Sequence, residues 1–349
     1  MTKHIIFIPF MFLLLTGVSC SNITFSTKKA TDGGVYKSLN RGEVWEQKVF
    51  VEKIKKKITT IAHVNVKRFV PDPEDSRIIY LITRESGLWK TTDGAGRWSV
   101  VYQGGGVSSL ALDARDASRL YMAVGNRIMT SGDGGNTWEE VYLEPRPTVS
   151  ITSLVINLKE RRHVIASTSA GDILESRDEG GSWKVVYRFD FPIGGLLQLP
   201  KSNYLFATTQ NQGVWRSVDE GKTWKSVSET LKEYAGALEV KTLIPDPATP
   251  NALLLATVYG IFRTTNNGDT WQSIPLISKP GTIEILSLAV NPKNSSHLYY
   301  TVSQAFYASS NGGARWTTLP VPSGKLPTAL SVDAYNPDIL YLGFTNPKK

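Results

Sequence analysis

The segment Gly260-Ile261-Phe262-Arg263-Thr264-Thr265-Asn266-Asn267-Gly268-Asp269-Thr270-Trp271 reads as a short strand, a tight turn and the first residue of a returning strand. The turn has the form Ser/Thr-x-Asp/Asn-x-Gly-x-x-Trp, and seven copies occur, ending at Trp45, Trp98, Trp138, Trp183, Trp224, Trp271 and Trp316. Their third position is Asn40, Asp93, Asp133, Asp178, Asp219, Asn266 and Asn311. Only the second copy departs, with Ala95 in the glycine slot. An Asp or Asn side chain closes such a turn by accepting backbone N–H groups ahead of it. Glycine supplies the positive φ that the turn requires. Tryptophan then brings on the order of 150–250 Å² to bury against its neighbours. These roles are structural, and we call the copies tryptophan turns.

Successive tryptophans lie 53, 40, 45, 41, 47 and 45 residues apart, the length of one four-stranded propeller blade. Between the turns a second element recurs, in which an Asp or Asn stands eight residues before an apolar residue. The pairs are Asp72–Tyr80, Asp113–Tyr121, Asn157–Ile165, Asp246–Leu254, Asn291–Tyr299 and Asp333–Tyr341, each reading as two alternating strands joined by a polar turn. The first tryptophan turn has no such pair before it, and the last pair, Leu330 to Leu342, has no turn after it. Seven blades therefore form only if the C-terminal pair joins the N-terminal strands in one sheet. The expected fold is all-β: a single seven-bladed β-propeller of four-stranded blades over residues 33–345, closed by pairing N- and C-terminal strands. Such closure removes exposed sheet edges.

Residues 1–20 read as a signal peptide. Lys3 precedes the apolar run Ile5–Leu15, and the small residues Gly17 and Ser19 follow. Of 39 Lys+Arg and 31 Asp+Glu, removing Lys3 leaves 38 against 31, a mature charge of +7. That modest excess does not imply nucleic-acid binding. The only cysteine is Cys20, so no intramolecular disulfide can form. Gly17-Val18-Ser19-Cys20 resembles a bacterial lipoprotein processing site, which implies lipidation at Cys20, with residues 21–32 as a polar tether. The alternative is soluble secretion. The expected location is thus the cell envelope, anchored by lipid, or outside the cell.

The repeated turns resemble the Asp-box (BNR) repeats of sialidases, xyloglucan-active glycoside hydrolases, sortilin-type receptors and Ycf48-like assembly factors. Sialidases imply an arginine trio with a Tyr–Glu pair. Arg84 and Arg127 fall in suitable turns, but no third arginine joins them. Xyloglucanases imply two carboxylates across a groove. Glu85, Asp172 and Asp190 lie in comparable loops, each more simply read as a solvated surface carboxylate. Ycf48-like factors imply a single, often lipid-anchored propeller that binds a partner protein through a basic face.

No metal site or cofactor is expected, because His63, His163 and His297 fall in separate blades without ligand-like spacing. Trp89 and Trp215 occupy a slot filled elsewhere by Tyr36, Met129, Leu174, Phe262 and Tyr307, which assigns them to core between blades. The longest break in the repeat, 24 residues from Trp45 to Phe69, holds Lys53, Lys55, Lys56 and Lys57. Its simplest reading is a solvated edge whose lysines discourage sheet pairing. The sharper reading is a contact for an acidic partner or an anionic membrane surface. The function expected from these readings is a scaffold for another envelope or extracellular protein. The alternative is a secreted glycoside hydrolase with a glycan ligand.

Overall fold

A computed structural model of the chain describes residues 31–199 and 204–347. The segment expected to be a signal peptide, Cys20 and most of the expected tether lie outside the described residues. Among those described, no helix is long and apolar enough to cross a membrane.

Seven four-stranded antiparallel sheets are arranged as the blades of a propeller. Blade I comprises Val66–Pro71, Ile79–Thr83, Leu88–Thr91 and Ser99–Tyr102, and blade II Val107–Asp113, Asp116–Val124, Arg127–Ser131 and Glu139–Leu143. Blade III comprises Ile151–Ile156, Val164–Thr168, Asp172–Ser176 and Lys184–Arg188, and blade IV Ile193–Gln198, Leu205–Thr209, Val214–Ser217 and Lys225–Ser226. Blade V comprises Val240–Pro245, Leu253–Thr257, Ile261–Thr264 and Gln272–Ile274, and blade VI Ser287–Asn291, Asn294–Val302, Ala305–Ser309 and Thr317–Pro320. Blade VII draws on both ends of the chain: Leu326–Val332 and Leu340–Thr345 join Val35–Ser38 and Glu46–Gln47. Val35 pairs with Gly343, Tyr36 with Leu342, Lys37 with Tyr341 and Ser38 with Leu340. The ring is closed as expected.

All seven tryptophan turns share one hydrogen-bond pattern. The Ser/Thr hydroxyl accepts the backbone N–H four residues on, as Gly42 gives to Ser38 (2.9 Å) and Ala95 to Thr91 (3.0 Å). The same hydroxyl donates to the Asp/Asn Oδ1, which in turn accepts the N–H of the residue before Trp, as Arg97 gives to Asp93 (2.9 Å). The pattern requires left-handed backbone at the fourth and fifth positions, and Ala95 accepts φ 74° where the other copies use glycine.

The turns also fasten blade to blade. Trp98 Nε1 donates to Lys48 O (2.9 Å), Trp138 to Val101 O (3.0 Å), Trp271 to Val227 O (2.7 Å) and Trp316 to Pro275 O (2.8 Å), each reaching back to the preceding blade's outer strand or the segment after it. Trp183 and Trp224 bond their own turns instead, at Gly180 O and Gly221 O. Contacts also run the other way around the ring. Tyr80 and Lys90 both donate to Gly134 O, Tyr121 to Glu179 O, and Lys37 to Gly94 O, so these three turns also receive donors from the blade before them. Apolar clusters fill the spaces between adjacent blades.

Trp98 is fully buried. Trp98→Ala should cost about 3–5 kcal/mol, read as a lower urea midpoint. Trp45→Ala, whose half-buried indole N–H has no acceptor, should cost less.

Candidate functional site

The inner strands of all seven blades enclose a central cavity of about 460 Å³. In blades I to V and VII the inner strand carries a β-bulge near its start, which sets two of its residues against one on the second strand, and at least one residue of each bulge lines the cavity. The residue just past the bulge is Ser109, Ser153, Gly195, Thr242 or Ala329 in five of these blades, and Ser287 takes the matching position in blade VI. All six are small. Blade I places Arg68 there.

Arg68 has no hydrogen-bond or ion-pair partner among the described residues, although several hydroxyls line the same cavity. Three of those hydroxyls are engaged elsewhere: Ser108 Oγ donates to Ile151 O (2.7 Å), Thr152 Oγ1 pairs with Ser167 Oγ, and Thr328 Oγ1 donates to Val66 O (2.8 Å). The Arg68 side chain is open to cavity water yet walled by protein, and this enclosure pushes its pKa down. A guanidinium remains charged under such a shift. Lys67 donates to Val107 O (3.1 Å) and Ser108 O (3.2 Å), and its pKa falls through burial and repulsion from Arg68 and Arg84. Lys241, paired with Glu239 (2.6 Å), is the third cation lining the cavity. No Asp or Glu lines it among the described residues. The chemistry on offer is therefore capture of an anionic group by a guanidinium held in place without a counter-charge.

The carboxylates singled out from sequence are distributed differently. Glu85 is exposed in the loop between the second and third strands of blade I, where it accepts a hydrogen bond from Asn65 Nδ2 (3.0 Å). Asp190 is exposed just beyond blade III. Asp172 is fully buried at the start of the third strand of blade III, not in a solvated loop. Its Oδ1 accepts from Arg188 Nε (2.6 Å) and its Oδ2 from Arg146. Burial alone would raise this carboxyl's pKa, but the two guanidinium hydrogen bonds outweigh it and hold the group below the ordinary carboxylate range. Arg146 also binds the buried Glu144, so Asp172 belongs to an ion network that joins blades II and III. Of the arginines considered from sequence, Arg127 is paired with Glu140 (2.9 Å) and Arg84 is exposed.

One cluster was not visible from spacing. His163 is fully buried, with Nε2 3.0 Å from Glu175, and with Glu160 and Glu220 it forms a group of three whose ligand-type atoms lie within 4.8 Å of one another. Arg177 bonds Glu160 (3.0 Å), Glu175 (3.1 Å) and Glu220 (2.8 Å), so a guanidinium already supplies the positive charge at this joint between blades III and IV. Burial, then repulsion from Arg177, lowers the His163 pKa despite the carboxylates. The separation of the histidines by blade had hidden this partnership, because Glu220 comes from the next blade.

Trp89 and Trp215 are half-buried, and their indoles donate to Ser86 O (2.9 Å) and Gln212 O (3.2 Å). Trp215 packs on Phe189 and Phe191 from the preceding blade. The break holding Lys53, Lys55, Lys56 and Lys57 forms a separate hairpin of Phe50–Ile54 and Lys57–Thr60.

Comparison with known proteins supports the architecture. The Sortilin-Vps10 family model (sortilin, neurotensin receptor 3) matches residues 212–343, under half of the chain. Xyloglucanase Xgh74A of Acetivibrio thermocellus is 25% identical over 69% of this chain, which spans only 29% of that relative's length. Among solved structures, the GH74 xyloglucanase of Xanthomonas campestris superposes with a TM-score of 0.67 at 16% identity, covering 81% of this chain and 51% of that one. Ycf48 bound to D1 peptide gives 0.62 at 16% identity, covering 85% of this chain and 100% of that one. The chain is thus a propeller similar to sortilin, GH74 and Ycf48 proteins.

Asp172→Asn should lower stability by about 1–3 kcal/mol at neutral pH, the solvent at Arg146 and Arg188 keeping the loss below that of a fully buried pair. A depressed carboxyl stabilises the fold above its unfolded pKa of about 3.9 and loses that contribution as pH falls through the folded value. The wild-type advantage over Asp172→Asn in urea melts should accordingly shrink toward zero in strong acid.

Proposed function

We propose that the protein is an exported propeller scaffold that holds a partner protein at the cavity mouth by an acidic segment. The observation that carries this reading is Arg68, the one large charged residue at a position otherwise filled by Ser, Thr, Gly or Ala, with no counter-charge. A purely structural position would tolerate a small residue there, as the other six blades do. The likeness to a propeller solved with a bound peptide fits the same reading. Export rests on residues 1–20 and membrane attachment on Cys20. The tryptophan turns are, in this proposal, Asp-box repeats that build the scaffold and take no part in binding.

A second reading, glycoside hydrolysis, is favoured by the similarity to xyloglucanase Xgh74A. It needs two carboxyl groups roughly 5–9.5 Å apart across a groove. Asp172 is committed to two arginines, which leaves Glu85 in blade I and Asp190 beyond blade III as its candidates.

Capture of envelope proteins on the immobilised full chain separates the two. Arg68→Ala should lose the partner by about ten-fold or more, the cost of one charged hydrogen-bonding group, while Glu85→Gln and Asp190→Asn retain it. Release of oligosaccharides from xyloglucan, abolished by Glu85→Gln or Asp190→Asn, would give the protein to the hydrolase reading instead.

A further inference from the structure

The hairpin that interrupts the repeat belongs to no blade. Its base is fixed to the body. Val49 and Ile61 are buried in the core between blades VII and I, Ile61 N donates to Val49 O (2.8 Å), and Trp98 N donates to Phe50 O (2.9 Å). The tip has the opposite character. Lys55 turns the chain with φ 53°, Lys53 faces Ile58 and Ile54 faces Lys57 across the strands. Ile54 and Ile58 are 60% and 58% exposed. Among the described residues, none of Lys53, Lys55, Lys56 and Lys57 has an ion pair or a side-chain hydrogen bond, and the hairpin's only carboxylate, Glu52, sits toward the base.

Two exposed isoleucines, one on each face of a tip that also carries four lysines, match the chemistry of a bilayer interface that the tip enters end-on, with apolar groups entering the acyl boundary and ammonium groups meeting anionic headgroups. Position supports the same occupant. The chain joins the body at Gly33 and Gly34, and a Cβ at Gly34 would lie 2.7 Å from Ile61 O and 2.8 Å from Val49 Cγ1, against the base of this hairpin. Gln47 Nε2 donates to Gly33 O (2.8 Å) and Lys325 Nζ to Ala62 O (3.3 Å), adding a further cation there. Residues 33 and 34, the point of the chain from which any N-terminal attachment must pull, thus lie against the base of the hairpin.

We infer that the Lys53–Ile58 tip docks on an anionic lipid bilayer, orienting the propeller over the membrane. This rests on the reading of the protein as membrane-attached, but not on Arg68 or on the identity of the partner. A lipid anchor at Cys20 would hold the chain at the bilayer without orienting the propeller, and a second contact of this kind would fix the orientation. An acidic protein is the competing occupant.

The test uses the full chain with Cys20→Ser and Lys56→Cys, labelled at its single thiol with nitrobenzoxadiazole. Vesicles are either phosphatidylglycerol mixed with phosphatidylcholine, or phosphatidylcholine alone. The label should shift to the blue and be quenched by brominated acyl chains on the anionic vesicles only, and high salt should reverse both effects. Replacing Lys53, Lys55 and Lys57 by Ser should weaken this hairpin-dependent binding by about a hundred-fold, at roughly five-fold per lysine. Ile54→Ser with Ile58→Ser should abolish the acyl-chain quenching. These changes lie outside the blades, so an unchanged urea midpoint verifies that each variant is folded. A label that stays in water on both vesicles overturns the inference. If it shifts only when envelope proteins are added, the hairpin belongs to a protein partner. Retention of the partner by these variants, and its loss in Arg68→Ala, keeps the two proposals separately testable.

Discussion

Four backbone-paired residues from each end of the chain hold the ring shut. Val35–Ser38 lies against Leu340–Gly343, and the outer strand Glu46–Gln47 is added only through that pairing. Without it blade VII would be a lone two-stranded ribbon, and blades VI and I would lose the outer half of the neighbour that sits between them. The cavity requires seven inner strands around one axis, so its shape depends on this closure. So does the hairpin, whose base lies between Gly34 of blade VII and Trp98 of blade I.

The tryptophan turns carry the same constraint around the ring. Each turn spends its Asp or Asn on its own backbone, three receive Tyr or Lys donors from the blade before, and four send the indole N–H back to that same blade. Charged residues reinforce individual joints, through Asp172 between blades II and III and through Arg177 between blades III and IV. Carboxylates that look available for chemistry in a linear reading are thereby used as structural counter-ions. Arg68 stands apart because nothing among the described residues answers its charge.

The blade count and the closure were legible because both follow from spacing: a local turn chemistry repeated every 40–53 residues, and complementary fragments at the two ends. The same spacing set apart the lysine-rich break, although its form as an independent hairpin depends on the packing of Val49 and Ile61. Sequence did not reveal Arg68, which stands out only when the inner strands are aligned residue by residue through their bulges. The pairing of His163 with Glu220 crosses from one blade to the next, 57 residues on, beyond any local pattern. Asp172 read as a loop residue because the strand boundary beside Gly171 is set by tertiary pairing with Arg188. Trp89 and Trp215 did fall between blades, but at their rims, half-buried.

Native-state hydrogen exchange of the backbone amides in Val35–Ser38 and Leu340–Gly343 tests the closed ring most directly. If closure governs the fold, these amides exchange only through global opening, with the protection shown by buried strands such as Leu253–Thr257. Exchange of Val35–Ser38 orders of magnitude faster, while blades I to VI stay protected, would contradict the account and with it the fixed geometry of the cavity and the hairpin.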